Sequence, residues 1–507
     1  MRSHIISALL MILLITVFLS GCGKNEKVIT SFDDAKQAKI GVMTGTTGET
    51  IAARRFPKAE VKSFDDIMDA VAAMKSGQLD AIVTSYPLAI QVSKKNQELS
   101  RLPEPLDNED TAVAIKKGNY ELLAAVNRII TELKSDGTLV SMKSRWFKED
   151  LSPYQEPEIL LPKAGKVLTI GVSATREPFS FVDKDGRVTG HDGELARIIG
   201  LKLKRPVEFS NMKFMALIPA LQSGKVDLIV TGMTATDERK KKIDFTQPYF
   251  ANAQVMLVKK ARGGKSASGT TNSPSLTSSL VNSFRSNIIQ EKRYLLLWDG
   301  LKTTVAISIL ATIFGTLLGS LICFLRMSAN SFLNIPAKIY IAILRGTPVL
   351  VFLMLIFYVV FASVNISPVL VAVIAFGMNF AAYSAEIFRT GIEGVDKGQT
   401  EAGIAMGFSK IKTFIHIVLP QTVRRILPVY KGEFISLVKM TSIVGYIAVQ
   451  DLTKASDIIR SRTFDAFFPL VMVAILYFLI SWVLMQSLEY LEWRTDPKSK
   501  RRKVASA

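Results

Sequence analysis

The sequence predicts a chain of two parts: an exported α/β domain of two lobes, then an all-α domain that crosses a membrane about five times. Three observations carry this. Apolar residues make up 49% of the 507 residues but are unevenly spread, and runs long enough to cross a bilayer dominate from about Leu301. The first half has mixed charge and alternates short apolar strands with segments of helical spacing. At the N-terminus, Arg2 and His4 precede an apolar run at 5–18 that is short for a spanning helix and has the shape of a secretory signal.

That run ends Leu19-Ser20-Gly21-Cys22, which resembles the bacterial lipobox. The resemblance implies cleavage before Cys22 and alkylation of its thiol by a diacylglycerol group. An uncleaved signal anchor is the alternative, and either version exports the domain that begins after Cys22. The only other cysteine, Cys323, lies in a later apolar run, so no disulfide framework supports the exported domain. Within residues 23–150, strands are expected at 38–42 and 78–84 and helices at 67–74 and 122–133. The turn signal Asp136-Gly137 comes after the second helix. Residues 151–165 hold three prolines and form a linker. A second α/β stretch, 166–261, has strands at 167–172 and 226–230 and helices at 193–203 and 214–221. Residues 262–297 join it to the membrane domain, beginning with a Gly-, Ser- and Thr-rich linker.

The membrane domain, 298–493, has expected spans at 303–325, 348–364, 368–388, 427–449 and 467–487. The fourth contains Glu433 and Lys439. An exported front end places Thr303 outside, so five crossings leave the C-terminus inside, where 494–507 is a basic tail. The loop 389–425 also falls inside and is rich in Lys and Arg, as the positive-inside rule requires. The loop carrying Lys454, Arg460 and Arg462 falls outside and is an exception. The net charge of +19 is therefore a membrane pattern. No basic motif for nucleic acid appears, so no nucleic-acid partner is expected.

The loop 389–425 carries Glu401-Ala402-Gly403, then Gly407, then Ile417-x-Leu419-Pro420. This resembles the ATPase-docking signature of ABC importer permeases, with Gly403 in place of the family's second Ala. The stretches Leu344-Arg345-Gly346-Thr347-Pro348, residues 382–389 and residues 433–439 resemble the polar amino-acid branch of that family. Over about 298–491 the resemblance implies an all-α transmembrane permease domain. It also implies an ABC ATPase dimer as partner, and a second permease copy, with a homodimer favoured. Glu433, ionisable within a span, is a candidate for the solute path, with pairing to Lys439 as the alternative. The family's frequent Asp after Lys439 is Met440 here.

The front half resembles the solute-binding proteins of the same branch, an α/β two-lobed periplasmic-binding-protein-like fold, with its halves exchanged. Residues 166–260, with 232–239 and 244–249, look like the family's opening. Residues 31–147, with 44–48 and the closing Trp146-Phe147, look like its continuation. This implies a circular permutation, tolerated where the old termini lie close together, or else halves that pair between two protomers. On this resemblance Arg239 clamps a ligand carboxylate, with a solvated surface arginine as the alternative. Thr234, Gly232 and Thr47 add hydrogen bonds, and Phe214 stacks on the ligand. Ser85 and Ser173 stand where the family places acids that hold the α-ammonium, and Arg176 stands at an aromatic lid position. An ammonium buried without a carboxylate is costly, so an acidic or ammonium-free ligand is expected unless Glu177, beside Arg176, substitutes.

No Gly-x-x-x-x-Gly-Lys-Ser/Thr loop occurs, so ATP is expected on a partner subunit and no cofactor on this chain. With three histidines and no metal spacing, no metal site and no catalytic residues are expected. The implied function is capture and import of a small polar solute, most simply an amino acid, across the cytoplasmic membrane. The chain is then a transporter subunit and not an enzyme. The alternative is an amino-acid-sensing ligand-gated receptor or channel, which has no use for an ATPase-docking loop.

Overall fold

The computed structural model describes residues 28–148, 154–260 and 276–495. The signal segment with Cys22, the core of the Gly/Ser/Thr-rich linker and the basic tail lie outside the described residues. The chain opens with β1 (Lys39–Met43), α1 (Thr47–Arg55), β2 (Glu60–Phe64), α2 (Ile67–Lys75), β3 (Ala81–Ser85), α3 (Tyr86–Lys95) and β4 (Leu99–Arg101). Then come β5 (Asp107–Ile115), α4 (Tyr120–Ser135) and α5 (Thr138–Trp146). Beyond the proline-containing linker lie β6 (Leu168–Val172), β7 (Thr175–Arg176), β8 (Ser180–Val182), β9 (Val188–Thr189), α6 (His191–Lys202) and β10 (Val207–Asn211). The domain closes with α7 (Leu217–Gln222), β11 (Leu228–Ile229), α8 (Asp237–Lys240) and β12 (Asp244–Lys259).

Two parallel units share one sheet of nine strands, in the order β10-β6-β11-β5-β12-β3-β1-β2, with β4 beside β12. β1 and β3 are apolar runs buried on both faces, as parallel strands between helices must be. The two units meet at β5 and β12, which run antiparallel through the middle. β12 pairs its start with Ala114 and Ile115, in the lobe of β6, β10 and β11, and its later residues with 107–112. Beyond these it pairs with β3 of the other lobe. Both lobes therefore form within one chain. The segment after α5 leads into β6, whereas β12 ends at Lys259 and the chain leaves for the membrane helices.

The helical part comprises α9 (Leu276–Phe284), α10 (Tyr294–Met327), α11 (Ser331–Gly346), α12 (Val349–Leu355), α13 (Pro368–Glu393), α14 (Lys397–Ala405) and α15 (Lys410–Thr413). It ends with α16 (Leu419–Met440), α17 (Leu452–Thr463) and α18 (Phe468–Thr495). Among the described residues three helices are long and apolar enough to span: α10, α13 and α18 up to Tyr490. Two bent pairs raise the number to five. The expected span at 348–364 is corrected. Its helix, Val349–Val360, meets α11 at 111° and is only about 18 Å long at 1.5 Å per residue, short of a hydrocarbon core of about 30 Å. Pro348 is the cause: it forces Thr347 extended (φ −102°, ψ 131°) and breaks the helix there. The expected fourth span is likewise bent, by 56°, between the helix ending at Ile447 and α17.

α10 and α13 pack closely because small residues face each other. A Cβ on Gly315 would lie 2.6 Å from the Gly377 carbonyl, and one on Gly319 3.0 Å from that of Ala381. This is the close backbone approach that small residues permit in membranes. The α/β domain sits on loops of the helical domain. Lys213 pairs with Asp457 at 2.7 Å, Arg460 with Asp69 at 2.7 Å, and Lys225 donates to the Val364 carbonyl at 2.8 Å.

Candidate solute-binding cleft and membrane path

The cleft lies where β5 and β12 cross between the lobes. The loop between β1 and α1 brings Gly45, and the first residue of α1 Thr47, from one side; the turn before α8 brings Thr234, and α8 itself Arg239, from the other. Arg239 donates to the Thr234 carbonyl at 2.8 Å and, across the cleft, to that of Gly45 at 2.7 Å. Burial pushes its pKa down to about 10, with Glu109 opposing the shift and Arg176 adding to it. Arg239 is thus half-buried, not a solvated surface arginine. Phe214 is buried near two cations: Arg176 lies 5.4 Å and Arg239 5.6 Å from its ring centre. Arg176 is itself buried and donates to the Thr231 carbonyl at 2.8 Å, and burial lowers its pKa.

The remaining expected contacts divide. Thr47 and Thr234 face each other across the cleft and both donate their hydroxyl protons to Glu109, Thr47 at 2.6 Å. Glu109, on β5, is a residue that motif and resemblance did not single out. The period-2 alternation of β5 was the available signal, since it puts Asp107, Glu109 and Thr111 on one face. Gly232, at φ +61°, gives its N–H to the Tyr249 hydroxyl at 3.2 Å, so that amide points into the lobe. Ser173 is buried, and its N–H donates to the Thr231 hydroxyl. Ser85 is buried on β3, and its hydroxyl has no hydrogen-bond partner among the described residues. Glu177 does not substitute as a cleft acid. Its electrostatic neighbours are Tyr154, Arg462 and Lys95, at the seam with the membrane domain, and burial pushes its carboxyl up to about 7.

Two cavities open at the cleft, of which only the first is lined by Glu109. One, of about 510 Å³, is lined by Glu109, Asn252, Tyr86, Gln91 and Phe250 among others. The other, of about 420 Å³, is lined by Thr47, Phe214 and Arg239 among others. A third, of about 480 Å³, lies in the helical domain and brings Arg345, Tyr383 and Glu433 together. Arg345 stacks over Tyr383 at 5.1 Å. Among the described residues no ion pair joins Glu433 to Lys439. Met440 does not line this cavity. It ends α16, two turns beyond Glu433, and packs against the apolar core.

The expected docking loop forms two short helices. Asp396 caps α14, Gly407 turns the chain at φ +84°, and Pro420 sits in the first turn of α16. Glu401 and Ala402 are exposed, while Ile417 is half-buried. Gly403 has a packing reason. A Cβ there would lie 2.5 Å from Thr413 Cγ2 and 3.0 Å from Ile417 Cδ1. Around it Ile404, Met406, Phe408, Ile411 and Leu419 are exposed. That apolar surface lies beside the charged Glu401, Lys410 and Lys412, the character of an interaction site.

A family description of bacterial extracellular solute-binding proteins, family 3, matches residues 168–415. The match opens on β6 and runs on into the helical domain, where, among the described residues, no strand is built beyond Lys259. The chain is 35% identical over 227 residues to the L-cystine transport system permease protein TcyB of Bacillus subtilis, covering 44% of this chain and 96% of that protein. It is 30% identical over 223 residues to the octopine transport system permease protein OccM of Rhizobium radiobacter, covering 42% and 91%. A solved structure of an amino acid ABC transporter with histidines is 36% identical, covering 40% of this chain and 95% of that one, with a TM-score of 0.38.

Proposed function

The chain belongs to the polar amino-acid ABC importer family, as a binding domain fused to a permease. From that premise we propose that it captures an amino acid outside the cell and passes it inward through its own membrane domain, driven by a separate ATPase subunit. One observation carries the reading. A two-lobed cleft with a half-buried arginine sits directly on a membrane domain whose own cavity holds Arg345 and Glu433, a cation and an anion suited to a zwitterion. The names of the relatives, transporters of cystine and octopine, support an amino-acid-type solute.

In this reading the receptor is circularly permuted. Its lobe of 166–261 is continued in space by the segment 23–150, and the cut lies between β12 and β1. Arg239 is the carboxylate clamp, Phe214 the stacking surface, and Glu433 a member of the membrane path. The loop of Glu401, Ala402, Gly403, Gly407, Ile417, Leu419 and Pro420 docks the ATPase, which holds the ATP. The membrane domain pairs with a second copy of itself. The binding domain is extracytoplasmic, tethered at Cys22 and by the membrane helices, and the C-terminus is cytoplasmic. A ligand-gated channel is the weaker reading, because exposed apolar docking helices have no role in it.

The test is calorimetric titration of the purified full chain in detergent with a panel of amino acids and dicarboxylates. Expected is binding of an amino acid that Arg239→Ala weakens by more than about tenfold, the loss of a charge-assisted hydrogen bond. Reconstituted with its ATPase, the chain is expected to accumulate that solute only with ATP. An amino-acid-evoked ion current without an ATPase would overturn the reading in favour of the channel.

A further inference from the structure

Within the α/β domain only β5 and β12 carry the chain from one lobe to the other. Every other contact between the lobes is one that hinge motion about those strands makes or breaks. The proline-containing segment after α5 begins and ends in a single lobe. It leaves α5 and returns to β6, and the core of that lobe takes in Trp146 at one end and Leu168 at the other. Such a connection has no need to reach α3, whose Leu88, Ala89 and Val92 belong to the core of the other lobe.

Tyr154 nevertheless makes that contact. Its ring packs on its own lobe, 5.0 Å from Trp146 and 5.8 Å from Phe181 between ring centres. Two residues on, Glu156 fixes the segment to the same lobe through an ion pair with Arg197 at 2.5 Å and a hydrogen bond from Thr189. The Tyr154 hydroxyl then accepts from the side-chain amide of Gln91, buried on α3, at 3.2 Å. A phenol has one proton to give and lone pairs to accept with. The proton goes to Glu177, between β7 and β8. The hydroxyl therefore stands between a donor from one lobe and an acceptor from the other, with both capacities used. A second contact lies on the same helix, where Lys94 donates to the Lys148 carbonyl at 3.2 Å. The row continues into the membrane domain. Glu177 has Arg462 of α17 as an electrostatic neighbour, and Arg462 pairs with Glu291, ahead of α10. Tyr154 does not line the cavity that holds Arg239 and Phe214, so it has no part in gripping a solute there.

We propose that Tyr154 is a latch: its hydroxyl, held between Gln91 and Glu177, fastens the closed clamp away from the solute and sets how long the clamp stays shut. This rests on the reading of the two lobes as a solute clamp, and it names a residue that governs release. The ring is anchored to its own lobe by Trp146, Phe181 and the Glu156 ion pair. Closing therefore brings Gln91 to a hydroxyl already in place, and little side-chain freedom is lost in making the bond. Opening takes the bond away again. The latch hangs on a segment that exists only because the halves of the domain are joined in this order, so it belongs to this arrangement of the chain.

The experiment is single-molecule fluorescence transfer on the full chain in detergent. Dyes sit on cysteines in place of the exposed Lys58 and Lys184, one on each lobe, in a Cys323→Ser background. The lifetime of the closed state and the rate of closing are read without solute and with a panel of amino acids. Tyr154→Phe keeps the ring and its packing and removes the hydroxyl. It is expected to shorten the closed lifetime about three- to thirtyfold, the worth of one or two side-chain hydrogen bonds, and to leave the closing rate within about twofold. Gln91→Leu is expected to shorten the lifetime too, and the double variant to match Tyr154→Phe alone, because the two residues share one bond. An unchanged closed lifetime in Tyr154→Phe overturns the proposal. So do effects that multiply in the double variant, since they would be two separate losses of packing. A wild-type lifetime that no amino acid in the panel lengthens overturns the reading of the clamp as an amino-acid receptor, while the lifetimes without solute still decide for or against the latch.

Discussion

Single residues in this molecule carry charge into places where it must be answered. Arg239 and Arg176 both lie near the Phe214 ring, and Glu109 is an acid whose charge opposes the burial of both. Lys454, Arg460 and Arg462 looked like an exception to the positive-inside rule, and the structure supplies their partners. Arg460 meets Asp69 at 2.7 Å and Asp457 at 3.7 Å, Arg462 pairs with Glu291, and Lys454 is buried near Asp451 and Asp457. The rule counts loop cations and does not record their acidic partners, of which Asp69 comes from the α/β domain and Glu291, Asp451 and Asp457 from the helical part itself. Glu177 gives a pH prediction. Burial raises its carboxyl from 4.5 to about 7, with the Tyr154 hydroxyl and Arg462 opposing. A raised acid stabilises the fold fully below its unfolded value, and that stability is lost as pH rises through the folded value. Between about pH 4.5 and 7 the chain is therefore expected to lose up to about 3 kcal/mol from this group alone. Thermal unfolding of the full chain in detergent checks this. Wild type should fall in midpoint from pH 5 to 7.5 by more than Glu177→Gln does, and parallel curves would sink the assignment.

Elements show why one departure from the family motif is tolerated. Ala in place of Gly inside a helix ordinarily gains about 0.5–1 kcal/mol. At position 403 the new methyl would meet Thr413 Cγ2 at 2.5 Å, and overpacking of this kind costs about 1–3 kcal/mol. The clash outweighs the propensity, so Gly403→Ala is expected to loosen α14 against α15. Hydrogen exchange over 397–418 should speed up in the variant and return toward wild type when Thr413→Ser removes the opposing methyl. Unchanged exchange in Gly403→Ala would show that the loop repacks freely. α17 plays the matching part at the other interface. Asp457 holds Lys213 of one lobe, Arg460 holds Asp69 of the other, and Phe464, just beyond α17, accepts from Asn96 at 3.3 Å. Ile458 enters the core of the first lobe, while Phe464 and Ala466 enter that of the second. One short helix and the turn after it therefore touch both halves of the clamp, which ties lobe position to the membrane helices by packed side chains.

For the whole molecule, the loops at Phe361–Val364, Gly445–Tyr446 and Asp451–Ala466 all meet the α/β domain, so they lie on one side of the membrane domain. With five crossings the docking loop at 397–418 falls on the other side. Single cysteines placed at Ser363 and at Met406 in a Cys323→Ser background test this. In intact cells an impermeant maleimide is expected to label position 363 and to spare 406. Labelling of both from outside would overturn the topology. The sequence by itself determined the two-part architecture, an α/β domain followed by apolar helices, because it is written in local patterns: apolar run length and strand and helix period. It misplaced the second span, because helix direction after Pro348 depends on a bend that hydropathy does not record. It missed Glu109, because a carboxylate on an alternating strand looks like any solvent-facing residue until β12 and β3 are laid beside it. Only the tertiary structure decided that both lobes close within one chain and that the loop cations have acidic partners. Lobe closure and the Asp69–Arg460 pair depend on contacts between residues far apart in sequence, which no local pattern encodes.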